Sequence, residues 1–340
     1  MNTVNVGVVG ATGAVGEVFL RLLEERRFPV GDLRLFASDQ SEGLKLKFGN
    51  QQYPVRRLQE GAFKGLDLVF FSSGDEISRE WAPKAVAEGA IAVDNSAAFR
   101  MNPDFPLVVP EVNGDLIPPR GRPTIIANPN CSTIQLVVAL APLAQKFGIE
   151  AVRVASYQSV SGAGRAGIEE LFSSTRLSLE GEELKESSVF PAPIAFNCVP
   201  QIGGFDENGF CSEELKIMNE TRKILRLPDL YVSAFTVRVP TLNGHAEAVW
   251  VTLKRDSVGN EEIESVLRSA PGIVLGGEPG ESPDYPTQRM ASGRDPVFIG
   301  RLHRDKQDPR TWLMWIVADN LRKGAALNGI QIAERIFDIN

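Results

Sequence analysis

The sequence predicts an α/β chain of two domains, and three features carry the prediction. A short β-branched run at residues 5–9 leads through the glycine-rich turn GATGAVG into an amphipathic helix. Apolar runs then alternate with helical patterns as far as about residue 130, and beyond it longer β-rich stretches take over. The first part reads as a Rossmann-type dinucleotide-binding domain and the second as an α+β domain on a more antiparallel sheet.

In the opening unit Gly7, Gly10, Gly13 and Gly16 recur at every third position. From Val15 the apolar residues Val15, Val18, Phe19, Leu22 and Leu23 fall on one helical face, with Glu17, Glu24 and Glu25 between them. Glycines at such a turn let the backbone approach a pyrophosphate, which the positive end of the helix then holds. The spacing departs from Gly-x-Gly-x-x-Gly, so a plain strand–turn–helix without a ligand stands as the alternative. The next strand, 33–36, should end beside an adenosine ribose, where neutral or basic residues admit a 2′-phosphate and an acid favours NAD. Ala37, Ser38, Asp39, Gln40 and Ser41 follow: two hydroxyls that can donate, one carboxylate that would repel, and no arginine.

Residues 66–71, 90–93 and 124–127 read as further strands, with a helix around 78–88. The longer β stretches are 152–160, 230–239 and 246–254. The closing segment, 318–337, carries Leu321, Ala325, Leu327, Ile330, Ile332, Ala333 and Ile336 at helical spacing and reads as one long helix packing back on the first domain.

Composition narrows the function. The 340 residues are 43% hydrophobic and 23% charged, an ordinary globular balance. With 36 basic against 43 acidic residues, a net charge of −7 and no basic block longer than two, neither nucleic acid nor an anionic membrane is an expected partner. No apolar stretch approaches the ~18 residues of a membrane span, and the start MNTVNVGVVG has no basic n-region, so a cytoplasmic protein is expected. Cys131, Cys198 and Cys211 are too scattered for a metal knuckle and too few for a disulfide framework, so thiols and no metal are expected.

Cys131 lies in Asn-Pro-Asn-Cys-Ser-Thr, between an apolar strand and the apolar helix 134–143. A helix N-terminus there favours the thiolate and makes the sulfur a nucleophile. Its neighbours Asn128, Asn130, Ser132 and Thr133 are polar, which argues against a merely buried cysteine; Cys198 and Cys211 have no such setting. His245 precedes an apolar strand, at a loop end from which a general acid/base could project. His303, between Arg301 and Arg304, reads as a solvated surface residue. Arg100 follows a strand end, where it suits either an anion or a surface salt bridge.

At NPNCST the chain resembles the aspartate-β-semialdehyde dehydrogenases, over essentially its full length. GATGAVG, DNSAAFR, LVVPEVN, NPNCST, YQSVSGAG, EELK, RVPTLNGH and WIVADNLRKGAALN occur in that family's order and approximate spacing. The resemblance implies an NADP-binding domain over 1–130, a catalytic and dimerisation domain over 131–317, and a C-terminal helix, 318–340, that returns to the first domain. It implies reduction of L-aspartyl-4-phosphate by NADPH to L-aspartate-4-semialdehyde and phosphate, feeding lysine, methionine and threonine synthesis, in a homodimer or homotetramer.

Carried over by position, Cys131 is the nucleophile, His245 its acid/base partner and Gln158 the residue that orients the reacting group. Arg238 takes the substrate carboxylate, Glu213 its amino group, Arg100 with Lys216 the phosphate, and Asn130 completes the substrate set. Gly10, Thr12, Gly13, Ala14, Val15, Ser38, Gln40 and Ser41 fall to the dinucleotide, with Ser161, Gly162 and Asn320 near the nicotinamide. Where many members carry Ser-x-Arg-Ser, this chain has Ser38-Asp-Gln-Ser, so Gln40 replaces the guanidinium on the 2′-phosphate. Lys45 is the candidate substitute, and NADP with tolerance of NAD is expected. An N-acetyl-γ-glutamyl-phosphate reductase is the enzymatic rival, but it places Gly before and Tyr after its cysteine, where Asn130 and Ser132 stand here. A silent paralogue kept as a binding protein is the other, against which the chain retains both thiol and imidazole.

Overall fold

The computed structural model describes residues 3–182, 184, 186–277 and 284–339. Its contacts divide the chain into two units, Met1–Asn130 with Ala325–Asn340, and Cys131–Gly324. Residues 318–324, which the sequence places with the C-terminal helix, group with the second unit.

The first unit runs β1 (Val4–Val9), α1 (Ala14–Glu25), β2 (Val30–Phe36), β3 (Lys45–Phe48), β4 (Gln51–Arg56), β5 (Leu68–Phe71), α2 (Asp75–Ala87), β6 (Ile91–Asp94), α3 (Pro110–Asn113) and β7 (Ile125–Ala127). The strands form a seven-stranded sheet in the order β3-β4-β2-β1-β5-β6-β7. It is parallel apart from the edge pair β3/β4, and the order reverses at β1, the switch point where an open α/β sheet takes its ligand. β5 and β6 are buried at every position, as strands covered on both faces must be. The β3–β4 hairpin has no counterpart in the sequence reading, because KLKF and QQYPVR are short and mostly exposed and carry little apolar signal.

The second unit runs α4 (Cys131–Phe147), β8 (Ile149–Gln158), α5 (Gly164–Leu179), α6 (Ser212–Leu225), β9 (Tyr231–Arg238), β10 (His245–Leu253), α7 (Asn260–Ser269), β11 (Ile273–Leu275), α8 (Gln288–Ala291), β12 (Val297–Arg304) and β13 (Thr311–Ala318). Its six strands are ordered β11-β12-β13-β10-β8-β9, with antiparallel pairs in the middle and a parallel pair at each edge. α4 lies on one face against β8, β10, β12 and β13, and is almost wholly buried from Ser132 to Ala141. The opposite face keeps its aromatic residues open: Tyr157, Tyr231 and Phe235 are exposed, and Trp250 and Trp315 are half-buried.

The expected single helix over 318–337 is corrected. β13 continues to Ala318, a turn follows, and only then come a π-helical turn, Arg322–Ala326, and α9 (Leu327–Ile336). Asp319 sets the break, since its Oδ1 accepts from the backbone N–H groups of Leu321 and Arg322 at 2.8 and 2.9 Å, starting the helical segment there. Within the first unit, α9 packs on α1, and Arg26 pairs with Glu334 through two hydrogen bonds of 2.6 and 2.8 Å. Asn328 donates to Val108 O and to Asn128 Oδ1, and Asn128 to Ala325 O. Asn128, read from sequence as part of the cysteine's polar setting, thus ties the returning segment to the first sheet. Among the described residues no helix is long and apolar enough to cross a membrane.

Candidate active site

In the first unit the β1–α1 turn is a backbone device. Gly10 has φ +81°, and a Cβ there would stand 2.9 Å from the backbone of Ser72. At Gly16 a Cβ would meet Gly10 O at 2.2 Å, so α1 can lie against the turn only without a side chain. Gly13 caps α1 and no side chain caps the helix end, leaving its first amides for an anion. Ala14 and Val15 open α1, and Thr12 Oγ1 lies 3.4 Å from Ser41 Oγ, joining this turn to the one after β2. The residues present fit a dinucleotide pyrophosphate. Ser38 precedes, and Gln40 and Ser41 lie in, a short 3-10 turn beyond the C-terminal end of β2, while Lys45 is exposed on the edge strand β3. A cavity of about 180 Å³ also opens at that end of β2, lined by Phe36, Glu42, Arg56, Arg57, Gln59 and Ala62. Arg56 and Arg57 are the cations that the loop 37–41 lacks, and they went unnoticed because they stand at and just after the end of a strand invisible in the sequence.

Arg100 is buried in the first unit, so of its two sequence readings the surface salt bridge is ruled out. Its Nε donates to Asn128 O at 3.0 Å and its Nη2 to Asn95 O at 2.7 Å. Asn130, the last residue of that unit before α4, is also buried.

The second unit assembles its polar side chains by strand register. Gln158 pairs with Arg238 on β9 and with His245 on β10, so the three stand in a row across adjacent strands. Cross-strand partners project from the same face, so these three buried groups meet at one end of the sheet. Glu213, in the first turn of α6, accepts from Gln158 Nε2 at 3.3 Å and pairs with Lys216 at 3.3 Å. Burial pulls the Arg238 guanidinium pKa down, while the charges of Glu213 and Cys131 hold it up; it stays protonated. Its Nη1 donates to Ser159 O at 2.7 Å, which fixes its direction. Cys131 is half-buried at the start of α4, where the helix dipole favours a thiolate. Gly324 packs against it, and a Cβ there would be 3.0 Å from the cysteine Cβ.

His245 is the first residue of β10, not a loop residue before it, and is wholly buried. The Ser159 backbone N–H donates to its Nδ1 at 3.1 Å, so the neutral ring carries its proton on Nε2. Burial first, and the Arg238 charge second, push its pKa down to about 3, with Glu213 opposing. The ring is therefore a neutral hydrogen-bond donor at physiological pH. Among the described residues its Nε2 has no hydrogen-bond partner, and Gly162 leaves it room: a Cβ there would stand 3.2 Å from Nε2 and 2.7 Å from Arg238 Nη1.

Asn320 and Ser161, expected near the nicotinamide, are engaged in holding this loop. Asn320 Oδ1 accepts from Ser159 Oγ, Ser161 Oγ and Gly244 N, at 3.1, 3.1 and 2.8 Å, and its Nδ2 donates to Ser161 Oγ at 2.9 Å. Gly162, Ser159 and the residue before His245 are thereby set together. Ser159 was missed in the sequence although it adjoins Gln158, since nothing in YQSVSGAG marks which serine faces the ring. His303 is exposed, and its Nδ1 lies 2.6 Å from Arg301 O.

Known proteins resemble the chain throughout. The profile described as "Semialdehyde dehydrogenase, NAD binding domain" matches residues 5–118, and "Semialdehyde dehydrogenase, dimerisation domain" matches 140–323. The aspartate-semialdehyde dehydrogenase of Aquifex aeolicus is 48% identical over 330 residues, 97% of this chain and 96% of the relative. Among solved structures, the aspartate semialdehyde dehydrogenase II of Vibrio cholerae complexed with ASA superposes with a TM-score of 0.94 at 45% identity, covering 99% of both chains. The Candida albicans aspartate semialdehyde dehydrogenase with NADP gives 0.77 at 26% identity, covering 100% of both.

Proposed function

Because the chain belongs to the aspartate-semialdehyde dehydrogenase family, we propose that it reduces L-aspartyl-4-phosphate to L-aspartate-4-semialdehyde through a thioester on Cys131. The observation that carries this reading is the row of Gln158, Arg238 and His245 set by strand register in the unit that opens with Cys131.

The thiolate attacks the acyl carbon, a C–S bond forms, and the C–O bond to phosphate breaks with the electron pair leaving on phosphate. Arg238 takes the substrate carboxylate in a charge-assisted pair and Glu213 its ammonium. Arg100 and Lys216 are the cations for the phosphoryl group, and Asn130 adds an amide to the substrate set. Gln158, held by Glu213, orients the acyl group. When bound, the dinucleotide supplies a hydride to the thioester carbon. The resulting oxyanion receives the Nε2–H of His245, a donor of the kind worth about 3–4 kcal/mol in an oxyanion hole. Collapse then breaks the C–S bond and returns the sulfur as thiolate. With a neutral ring, His245 serves chiefly as a hydrogen-bond donor.

The dinucleotide is held at Gly10, Thr12, Gly13, Ala14 and Val15, with Ser38, Gln40 and Ser41 toward the ribose. Ser161, Gly162 and Asn320 serve the nicotinamide end, Gly162 by leaving space and the other two by holding the loop. NADP is preferred with tolerance of NAD, and Arg56 and Arg57 support that preference as cations lining the cavity at the end of β2. The assembly is a homodimer or homotetramer that associates through the open aromatic face of the second sheet, on which a groove of about 520 Å³ is lined by Trp250, Tyr285 and Trp315.

The test is purified protein with semialdehyde, phosphate and NADP, followed at the nicotinamide absorbance. Turnover that requires phosphate supports the reading. Absence of turnover, or turnover retained by Cys131→Ala, overturns it.

A further inference from the structure

One helical turn beyond Cys131 on α4 lies Gln135, and two residues beyond His245 on β10 lies Glu247. They are 1% and 0% exposed. Helix residues four apart and strand residues two apart each share a face at a spacing of roughly 6 Å. α4 packs on β10, on the face that buries His245, Glu247, Val249 and Val251, whereas Ala248 and Trp250 look toward the opposite, open groove. Helix and strand therefore present matching rungs, Cys131 with His245 at the end and Gln135 with Glu247 one step inward.

The inner rung is chemically unusual. No polar atom of either side chain has a hydrogen-bond partner among the described residues. The cross-strand neighbours of Glu247, Ser156 and Ile316, are uncharged, and the Ser156 hydroxyl accepts from Gln158. Burial raises the Glu247 pKa well above the usual carboxylate range, and Gln135 is the one group that opposes it, so burial favours the neutral acid. An acid and a carboxamide are complementary: the O–H donates to Gln135 Oε1 and the Gln135 N–H donates to the acid carbonyl. Closing that pair satisfies atoms that burial otherwise leaves unpaired.

We propose that Glu247 and Gln135 form an acid–amide pair that fixes the first turn of α4 on β10, making both of them positioning residues for Cys131 against His245. The proposal rests on Cys131 as the nucleophile. An aliphatic pair would fill the same space without setting the register of helix on strand.

The test uses the full chain in a Cys198→Ser background, since Cys198 is exposed. Alkylation of the Cys131 peptide by iodoacetamide at pH 7 is followed by mass spectrometry beside kcat and Tm. Glu247→Leu should slow alkylation about threefold or more and kcat about tenfold, with no loss of Tm. Glu247→Gln, which still offers a carboxamide, should stay within about twofold of the parent in both. The exchange Gln135→Glu with Glu247→Gln should do the same, and it carries the test against Gln135→Leu if Glu247→Leu fails to fold. Parental alkylation and turnover in Glu247→Leu, or an exchange variant as impaired as the leucine variants, would overturn the proposal. Turnover surviving in Cys131→Ala would instead remove the nucleophile reading, while the alkylation rates still report on the geometry.

Discussion

The two units build their sites from different materials. In the first, the β1–α1 turn works through backbone: Gly10 in the left-handed region, Gly16 under the carbonyl of Gly10, and an uncapped helix end. In the second, the array works through buried side chains, with Gln158, Arg238 and His245 held in register and Ser159, Gly162 and Asn320 packed around them. A backbone site depends on what is missing from a few positions. A side-chain site depends on each group being present, charged or neutral as required, and aimed.

That contrast predicts a hierarchy of damage. Cys131→Ala should lower kcat by roughly 10⁴-fold or more, since it removes the covalent route altogether. Dinucleotide binding, measured by titration of the cofactor, should be unchanged. His245→Gln should cost roughly 10²–10³-fold in kcat, in the range of a lost oxyanion donor. Gly162→Ala adds one methyl but drives it against Arg238 Nη1 and His245 Nε2, so a loss of roughly 10–100-fold in kcat/KM is expected with little change in Tm. Gly16→Ala, an identical chemical change in the other unit, should instead destabilise by about 1–3 kcal/mol and weaken dinucleotide binding. It should leave the alkylation rate of Cys131 at the parental value. Equal loss of Cys131 reactivity in the two glycine variants would erase the distinction.

The smallest expected effects concern pH. His245 has a folded pKa of about 3 against an ordinary 6.5, so between those values only the unfolded chain takes up the proton, and its contribution to stability falls on acidification. Tm of His245→Gln relative to the parent should therefore rise as pH falls below 6.5. Glu247 has the opposite sign. Its raised pKa makes its contribution fully present below about 4.5 and progressively lost as pH rises, so Glu247→Gln should gain Tm relative to the parent as pH rises above about 4.5. Parallel Tm profiles for parent and variants would show that neither group is held away from its ordinary ionisation.

The first unit was the more legible in the sequence, for a physical reason. Glycine spacing, the apolar stripe of α1 and the short buried strands are local patterns, and they announce strand, turn and helix within a few residues. The hairpin β3–β4 is exposed and polar, so it left no pattern, and Arg56 and Arg57 were lost with it. In the second unit Cys131 and His245 stood out singly, but strand register alone brings residues 158, 238 and 245 together, and register is not written locally. The long helix expected over 318–337 failed for the converse reason. Its apolar spacing was genuine, but β13 extends to Ala318 and the carboxylate of Asp319 sets the start of the helical segment beyond it. Glu247 was missed, because its strand carries apolar residues at both alternating sets of positions and nothing local marks the acid as buried.

The most direct test of the thioester is to trap it. Protein mixed with semialdehyde and oxidised NADP, without phosphate, should produce a burst of reduced cofactor equal to the chain concentration. Mass spectrometry should then find the aspartyl group as a thioester on the peptide that carries Cys131. A full burst with that peptide unmodified, or steady phosphate-dependent turnover by Cys131→Ala, would contradict the account.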